Sequence, residues 1–195
     1  MQAFAELIDR LIYTRSRNAK LTLIADYLVA TPDPDRGWAL AALTGDLDLK
    51  AVKSSQIRAM ADGRFDPLLF RMSRDYVGDT AETVALMWSE PEGGMREQDN
   101  LSISAVVDQL GATTRAKAPE LLASMMDRLD ANGRYALLKL ASGGMRVGVS
   151  ARLAKTAVAQ GFGLDVDDVE EVWHALSPPY AELFAWGEGK AERPD

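Results

Sequence analysis

A nine-residue segment, from Ser142 to Ser150, has a composition typical of a phosphate-binding loop. It reads Ser-Gly-Gly-Met-Arg-Val-Gly-Val-Ser. Three of its residues permit positive φ and a close approach of the backbone to a ligand: Gly143, Gly144 and Gly148. Ser150 can cap a following helix, whose first-turn N–H groups and dipole favour an anion. Three cations lie in the loop or in the first two turns after it: Arg146, Arg152 and Lys155. The segment predicts a phosphate site, and a plain helix end stays open because Gly-Gly is a common stop signal.

Two further polar clusters are candidates for the same role. The first lies in the segment from Tyr13 to Lys20, which offers three cations and an amide: Arg15, Arg17, Lys20 and Asn18. The second, weaker candidate is Lys53 with Ser54, in the segment from Lys50 to Ser55. For both clusters an ordinary solvated turn is the alternative interpretation, since polar residues are common at turns.

Composition excludes most other kinds of site. Cysteine is absent and His174 is the single histidine, which argues against disulfides, zinc sites and His-pair catalysis. Neither a Gly-x-x-x-x-Gly-Lys-Ser/Thr loop nor a Gly-x-Gly-x-x-Gly loop is present, and no catalytic constellation emerges. The net charge of −7 argues against nucleic-acid binding. However, acidic residues crowd the segment from Asp165 to Glu171, so basic patches can still exist elsewhere.

The hydrophobic pattern predicts an all-α fold. Apolar residues recur at helical spacing from Phe4 to Ile12, and similar stripes follow along the whole chain. Helix starts are predicted at Asp35, at Ser54 or Ser55, at Asp66-Pro67 and at Asp79 or Thr80. Later helices are expected over residues 103–110, 119–129, 134–140, 150–161, 166–176 and 180–186.

The chain also resembles a duplicated one. We expect a first half at about residues 1–88, a polar linker at about 89–100 and a second half at about 101–190. Asp9-Arg-Leu recurs as Asp108-Gln-Leu, and the segment starting at Trp38 recurs as the one starting at Tyr135. Such halves, related by a pseudo-twofold axis, could present similar loops to the two strands of a duplex.

These motifs together resemble a known family. The segment from Leu140 to Lys155 resembles the Gly-Leu-Arg-x-Gly segment of ATP-dependent DNA ligases, in their N-terminal helical DNA-binding domain. Val77-Gly-Asp-Thr-Ala-Glu is similar to that domain's Gly-Asp-Leu-Gly-Glu segment, with Ala81 in place of the second glycine. The segments starting at Tyr13 and Thr31 are similar to a bacterial branch of these enzymes, so the likeness covers nearly the whole chain.

The resemblance implies a DNA-binding domain that holds the duplex backbone across the minor groove around a nick, in repair or recombination. It implies DNA contact at the matching positions: Gly144, Arg146, Gly148, Ser150, Lys155, Arg15, Arg17 and Asn18. The family's nucleophilic lysine lies in a Lys-x-Asp-Gly motif, which this chain lacks. We therefore expect a non-catalytic fragment without a cofactor of its own. ATP and Mg²⁺ would belong to the nucleotidyltransferase domain of the full-length enzyme.

Further expectations concern partners and location. The N-terminus does not resemble a signal peptide and no apolar run approaches the roughly 20 residues of a membrane helix, so we expect a cytoplasmic protein. The expected partners are nicked or intact double-stranded DNA and the remaining ligase domains, with the chain itself a monomer. The alternative function is a helical protein-interaction module with an acidic surface.

Overall fold

The computed structural model describes residues 1–94 and 101–195, and these residues form helices and no β-strand. The prediction of an all-α fold is confirmed. A 3₁₀ turn at Trp173–Ala175 accompanies twelve α-helices in these ranges. In chain order, they are α1 Gln2–Tyr13, α2 Arg17–Ala30, α3 Asp35–Thr44, α4 Ser54–Asp62, α5 Pro67–Val77, α6 Thr80–Met87, α7 Ile103–Ala112, α8 Ala118–Met126, α9 Ala131–Ser142, α10 Ala151–Phe162, α11 Val166–Val172 and α12 Ala181–Gly187.

Several predicted helix starts agree with the structure. Ser150 caps α10, where its Oγ accepts the Leu153 N–H at 3.0 Å. Asp66 caps α5, with Pro67 at the first helical position, and Asp79 caps α6. Each of these side chains satisfies an N–H that has no partner within the helix.

Three other predicted boundaries are wrong. Asp35 is the first residue of α3, and Pro34 holds the cap position without a side-chain acceptor. Lys53, and not a serine, holds the cap position of α4, because Gln56 Oε1 accepts the Lys53 N–H at 3.0 Å. The helix expected over residues 166–176 ends at Val172 and continues only as the 3₁₀ turn.

The helices form two compact units, each assembled from separate stretches of the chain. Unit 1 comprises Met1–Ala5 and Asp48–Gly144, and unit 2 comprises Glu6–Leu47 and Met145–Asp195. Each unit thus contains helices from before and after the expected linker. The division into halves at about residues 89–100 stays a prediction, and residues 95–100 of that linker lie outside the described residues.

Unit 2 is built around the pairing of α2 with α10. Ile24 and Leu28 of α2 and Ala154 and Val158 of α10 are fully buried. Gly161 allows this close approach, since a Cβ on it would lie 3.3 Å from the carbonyl oxygen of Ala25. The pairing holds the N-terminal ends of both helices, which carry the predicted site residues, in a fixed arrangement.

A buried arginine joins the start of α3 to the end of α12 within unit 2. Arg36, only 4% exposed, donates Nε and Nη2 to the two carboxylate oxygens of Asp33, each at 2.8 Å. Its Nη2 also donates to Glu188, and its guanidinium lies 4.4 Å from the centroid of the Phe184 ring. Hydrogen bonds from Lys190 and Arg36 hold the pKa of Glu188 below its ordinary value.

Unit 1 contains an equivalent arginine. Arg134, near the start of α9 and 2% exposed, donates Nε to the carbonyl oxygen of Met126 at 2.8 Å. Its Nη1 lies 3.3 Å from Glu90 Oε1 and 3.4 Å from the carbonyl oxygen of Trp88. Within the described residues its Nη2 has no hydrogen-bond partner.

The two arginines have matching partners. Each donates to a carbonyl eight residues earlier in the chain, at Leu28 for Arg36 and at Met126 for Arg134. Each also meets a glutamate that follows a tryptophan by two positions, Glu188 after Trp186 and Glu90 after Trp88. The distance in sequence from Arg36 to Arg134 equals the distance from Glu90 to Glu188. In each unit the arginine and its glutamate thus come from segments far apart in the chain: Glu188 pairs with Arg36, and Glu90, at the start of the expected linker, pairs with Arg134.

The helices of the described ranges are too short or too polar to cross a membrane.

Candidate nucleic-acid interface

A basic surface cleft of unit 2 brings together two of the clusters singled out in the sequence. It has a volume of about 320 Å³ and lies between the α1–α2 turn and the start of α10. Its lining consists of Arg15, Arg17, Lys20, Gly148, Ser150, Arg152 and Leu153. The turn and the loop are more than a hundred residues apart in sequence, so only the folded unit creates this concentration of positive charge.

Helix caps fix both walls of the cleft. Ser16 Oγ accepts the Ala19 N–H at 3.3 Å and starts α2, which places Arg15 before the helix and Arg17 in its first turn. Ser150 caps α10 in the same way. Because α10 begins at Ala151, the N–H groups of Ala151 and Arg152 precede its intrahelical hydrogen bonds. The positive end of the α10 dipole thus faces a cleft that already carries four cations.

One hydrogen bond joins the two walls. Lys20 Nζ donates to the carbonyl oxygen of Gly148 at 2.9 Å. Gly148 has φ +69°, which turns this carbonyl toward the lysine, and Val147 beside it is buried and anchors the loop. This bond therefore holds Lys20 at the cleft and uses one of its three ammonium hydrogens, so two remain to donate to a ligand.

Two of the predicted cations on α10 have neighbours that sequence reasoning missed. Arg152 Nε lies 3.7 Å from Glu170 Oε1 of α11, an exposed pair that weakens the local positive charge. Lys155 lies deeper, with its Nζ 5.0 Å from the centroid of the Trp173 ring, and it does not line the cleft. Glu170 belongs to the acidic segment from Asp165 to Glu171, and nothing in the spacing of that segment indicates that α11 places it beside Arg152.

Other predicted site residues lie outside the cleft. Arg146 and Asn18 are exposed but are not part of its lining. Gly143 has φ +73° and ends α9, which agrees with the alternative interpretation of Gly-Gly as a helix stop. Gly144 does not have a positive φ. Lys53 and Ser54 belong to unit 1, where Lys53 Nζ pairs with Asp48 Oδ1 at 3.1 Å. Their role in binding stays a prediction.

A substitution at Gly148 tests the hydrogen bond between Lys20 and Gly148, which connects the two sides of the cleft. A Cβ at this position would lie 2.5 Å from Lys20 Nζ, so Gly148→Ala must displace the ammonium as well as strain a positive φ. We expect an unfolding free energy lowered by about 1 kcal/mol and a severalfold loss of affinity for short DNA duplexes in fluorescence anisotropy.

Gly163→Ala is the matched control. Gly163 has φ +66° and open space around the missing Cβ, so its substitution brings similar strain without touching Lys20. Equal losses of DNA affinity in the two variants would show that Lys20 and Gly148 have no special role.

The described part of the chain contains no cluster of three His, Cys, Asp or Glu residues suited to a metal ion. The chemistry that the cleft offers is binding: guanidinium groups, one ammonium and backbone N–H groups converge on a site that an oxyanion can enter.

Comparison with known proteins leaves this geometry as the main guide to function. No protein-family model matches the chain, and no curated protein matches its sequence. The likeness to DNA ligases therefore depends on the sequence motifs alone, those around Gly78 and Gly144 and the segments starting at Tyr13 and Thr31.

Proposed function

We propose that this chain binds the sugar–phosphate backbone of duplex DNA through the basic cleft of unit 2. The observation that carries the proposal is the convergence of Arg15, Arg17 and Lys20 with Arg152 at the capped start of α10. Such a combination of cations and helix N-terminus suits a phosphodiester, because each supplies N–H donors directed at oxygen.

The overall charge of −7 restricts this binding to the cleft. Acidic residues elsewhere repel DNA at long range, so affinity should depend on a few close contacts and be sensitive to salt. Because the contacts are made to phosphates and not to base edges, little sequence preference is expected.

The likeness to the N-terminal domain of ATP-dependent DNA ligases suggests the biological setting. In that setting the chain would hold the duplex around a nick during repair or recombination, while a separate domain seals the strand. The absence of a Lys-x-Asp-Gly motif from this sequence supports a non-catalytic role. Incubation of this chain with labelled ATP should leave it unlabelled.

The proposal is tested by fluorescence anisotropy with labelled nicked and intact duplexes of the same sequence. With three to four phosphate contacts, the slope of log affinity against log salt should be near −3. Affinity should then fall by a factor of tens between about 50 and about 200 mM salt. A duplex of scrambled sequence serves as the control and should bind equally well.

Absence of binding at low salt with about 100 μM protein, weaker than typical non-specific DNA binding, would sink the proposal. Binding that is independent of salt would also contradict it, since a phosphate interface releases counterions on association.

A further inference from the structure

Two neighbouring helices of unit 1, α5 and α6, expose a large apolar surface. No residue of α5 is buried. Of the eight large hydrophobic side chains that are exposed in the described residues, five lie on these two helices: Leu68, Leu69, Met72, Tyr76 and Leu86. Each is more than half exposed, and Tyr76 reaches 93%. Monomeric proteins rarely leave such clusters uncovered, so this surface indicates an interaction site.

The opposite face of α5 already has its partners. Phe70 stacks on Phe65 with ring centroids 5.7 Å apart, and Phe65 meets the edge of Trp88 at 6.2 Å. Arg74 Nε donates to Thr80 Oγ1 at 2.8 Å. Helix α5 is thus attached to unit 1 through this face. On its other side lies an apolar stripe, formed by Leu69, Met72 and Tyr76, that the described residues leave exposed.

The stripe borders a groove that can take an amphipathic helix. A cavity of about 460 Å³ lies between α5 and α6 and is lined mainly by apolar side chains, among them Leu69, Met72, Val77, Leu86 and Met87. Apolar grooves between two helices commonly bind the apolar face of a third helix. Helix α5 is itself such a helix, since Leu69, Met72 and Tyr76 recur at helical spacing on one face.

We propose that this surface is a homodimer interface, in which α5 of one copy packs antiparallel against the α5–α6 groove of a second copy of this chain. The charges beside the stripe fit this arrangement. Arg71 and Asp75 lie one turn apart on the same edge of α5. A twofold axis that relates two antiparallel α5 helices places the same edge of each helix side by side. Arg71 of each copy then lies opposite Asp75 of the other copy.

The exposed area fits a weak dimer. Five such side chains offer roughly 500 Å² per copy, so two copies bury roughly 1,000 Å², which is near the lower limit for a specific interface. The sequence predicts a monomer. The proposed dimer differs from that expectation only at protein concentrations in the micromolar range or above, where a weak interface is occupied. The two-helix surface of each copy would then form a four-helix arrangement with that of its partner.

Sedimentation velocity on the whole chain, without DNA, tests the proposal over concentrations from about 1 to about 200 μM, the range expected for a weak interface. We expect the weight-average mass to rise toward that of two chains. Arg71→Asp and Asp75→Arg should each weaken the dimer tenfold or more, because each places like charges opposite one another. The double variant R71D/D75R should restore dimerisation.

Arg58→Asp changes an exposed arginine of α4, outside the proposed interface helices α5 and α6, and as the control it should dimerise normally. Met72→Glu should give a monomer with an unchanged circular dichroism spectrum, because Met72 is exposed and contributes little to the fold of the single chain. A monomer at every concentration would overturn the proposal. So would single variants that weaken the dimer while the double variant fails to restore it.

Discussion

Replacing the three cleft arginines with alanine, in the variant R15A/R17A/R152A, should lower affinity for duplex DNA about a hundredfold at about 50 mM salt. Each arginine can pair with a phosphate, and each lost contact removes the release of roughly one counterion. The salt slope should accordingly become shallower by about 3 units. Fluorescence anisotropy titrations at four salt concentrations measure both quantities.

The matched control is R10A/R58A/K117A, which changes the net charge by the same amount. All three side chains are exposed, and none lines the cleft. This control should lose only a fewfold in affinity through the weaker long-range field. Equal losses in the two triple variants would mean that binding reports total charge and not the cleft, and the proposed interface would have to be abandoned.

The second large effect is expected in the free energy of unfolding, on substitution of the buried Arg36. Arg36→Met should lower the free energy of unfolding by about 2–4 kcal/mol. Methionine fills a similar volume beside Phe184, but it leaves the Asp33 carboxylate without the guanidinium and Glu188 with Lys190 as its remaining donor. Urea denaturation followed by circular dichroism gives the value. Arg193→Met, which removes an exposed arginine paired with Glu171, is the control and should be indistinguishable from the parent chain.

The pH dependence of stability gives a second measurement of the same contact. Because the pKa of Glu188 lies below its ordinary value in the folded chain, its carboxylate stabilises the fold above a pH of about 4.3, the ordinary glutamate value. This contribution disappears as the pH falls through the folded pKa. In Arg36→Met the acid-induced loss should be smaller, since one of the two donors to Glu188 is gone. An unchanged pH profile would contradict the assigned role of Arg36.

The local elements of this fold could largely be predicted from the sequence. Apolar spacing and caps such as Ser150 and Asp66 depend on residues within one or two turns, and these predictions are confirmed. The errors concern which residue holds the cap position, which several neighbouring polar residues could occupy. Pro34 rather than Asp35 holds the cap position of α3, and the side chain of Gln56 rather than that of a serine accepts a hydrogen bond at the start of α4.

The two buried arginines could not be predicted. Charged residues are rarely buried, and Arg36 and Arg134 each depend on a glutamate from a distant segment of the chain as well as on a carbonyl eight residues earlier. The candidate site shows the same limitation. Sequence reasoning singled out the clusters at Arg15 and at Gly148 separately, but only the pairing of α2 with α10 unites them. It also included Lys53 and Ser54, which lie in unit 1.

The discontinuous composition of unit 2 has a consequence for protein synthesis. The ribosome completes α2 and α3 long before α10 and α12, so Ile24 and Leu28 emerge without the helix that covers them. Helices α4–α9 of unit 1, in contrast, follow one another in the chain and can associate as they emerge. In a nascent chain the apolar side chains of α2 should therefore stay exposed, and accessible to chaperones, until residues 145–195 have emerged from the ribosome.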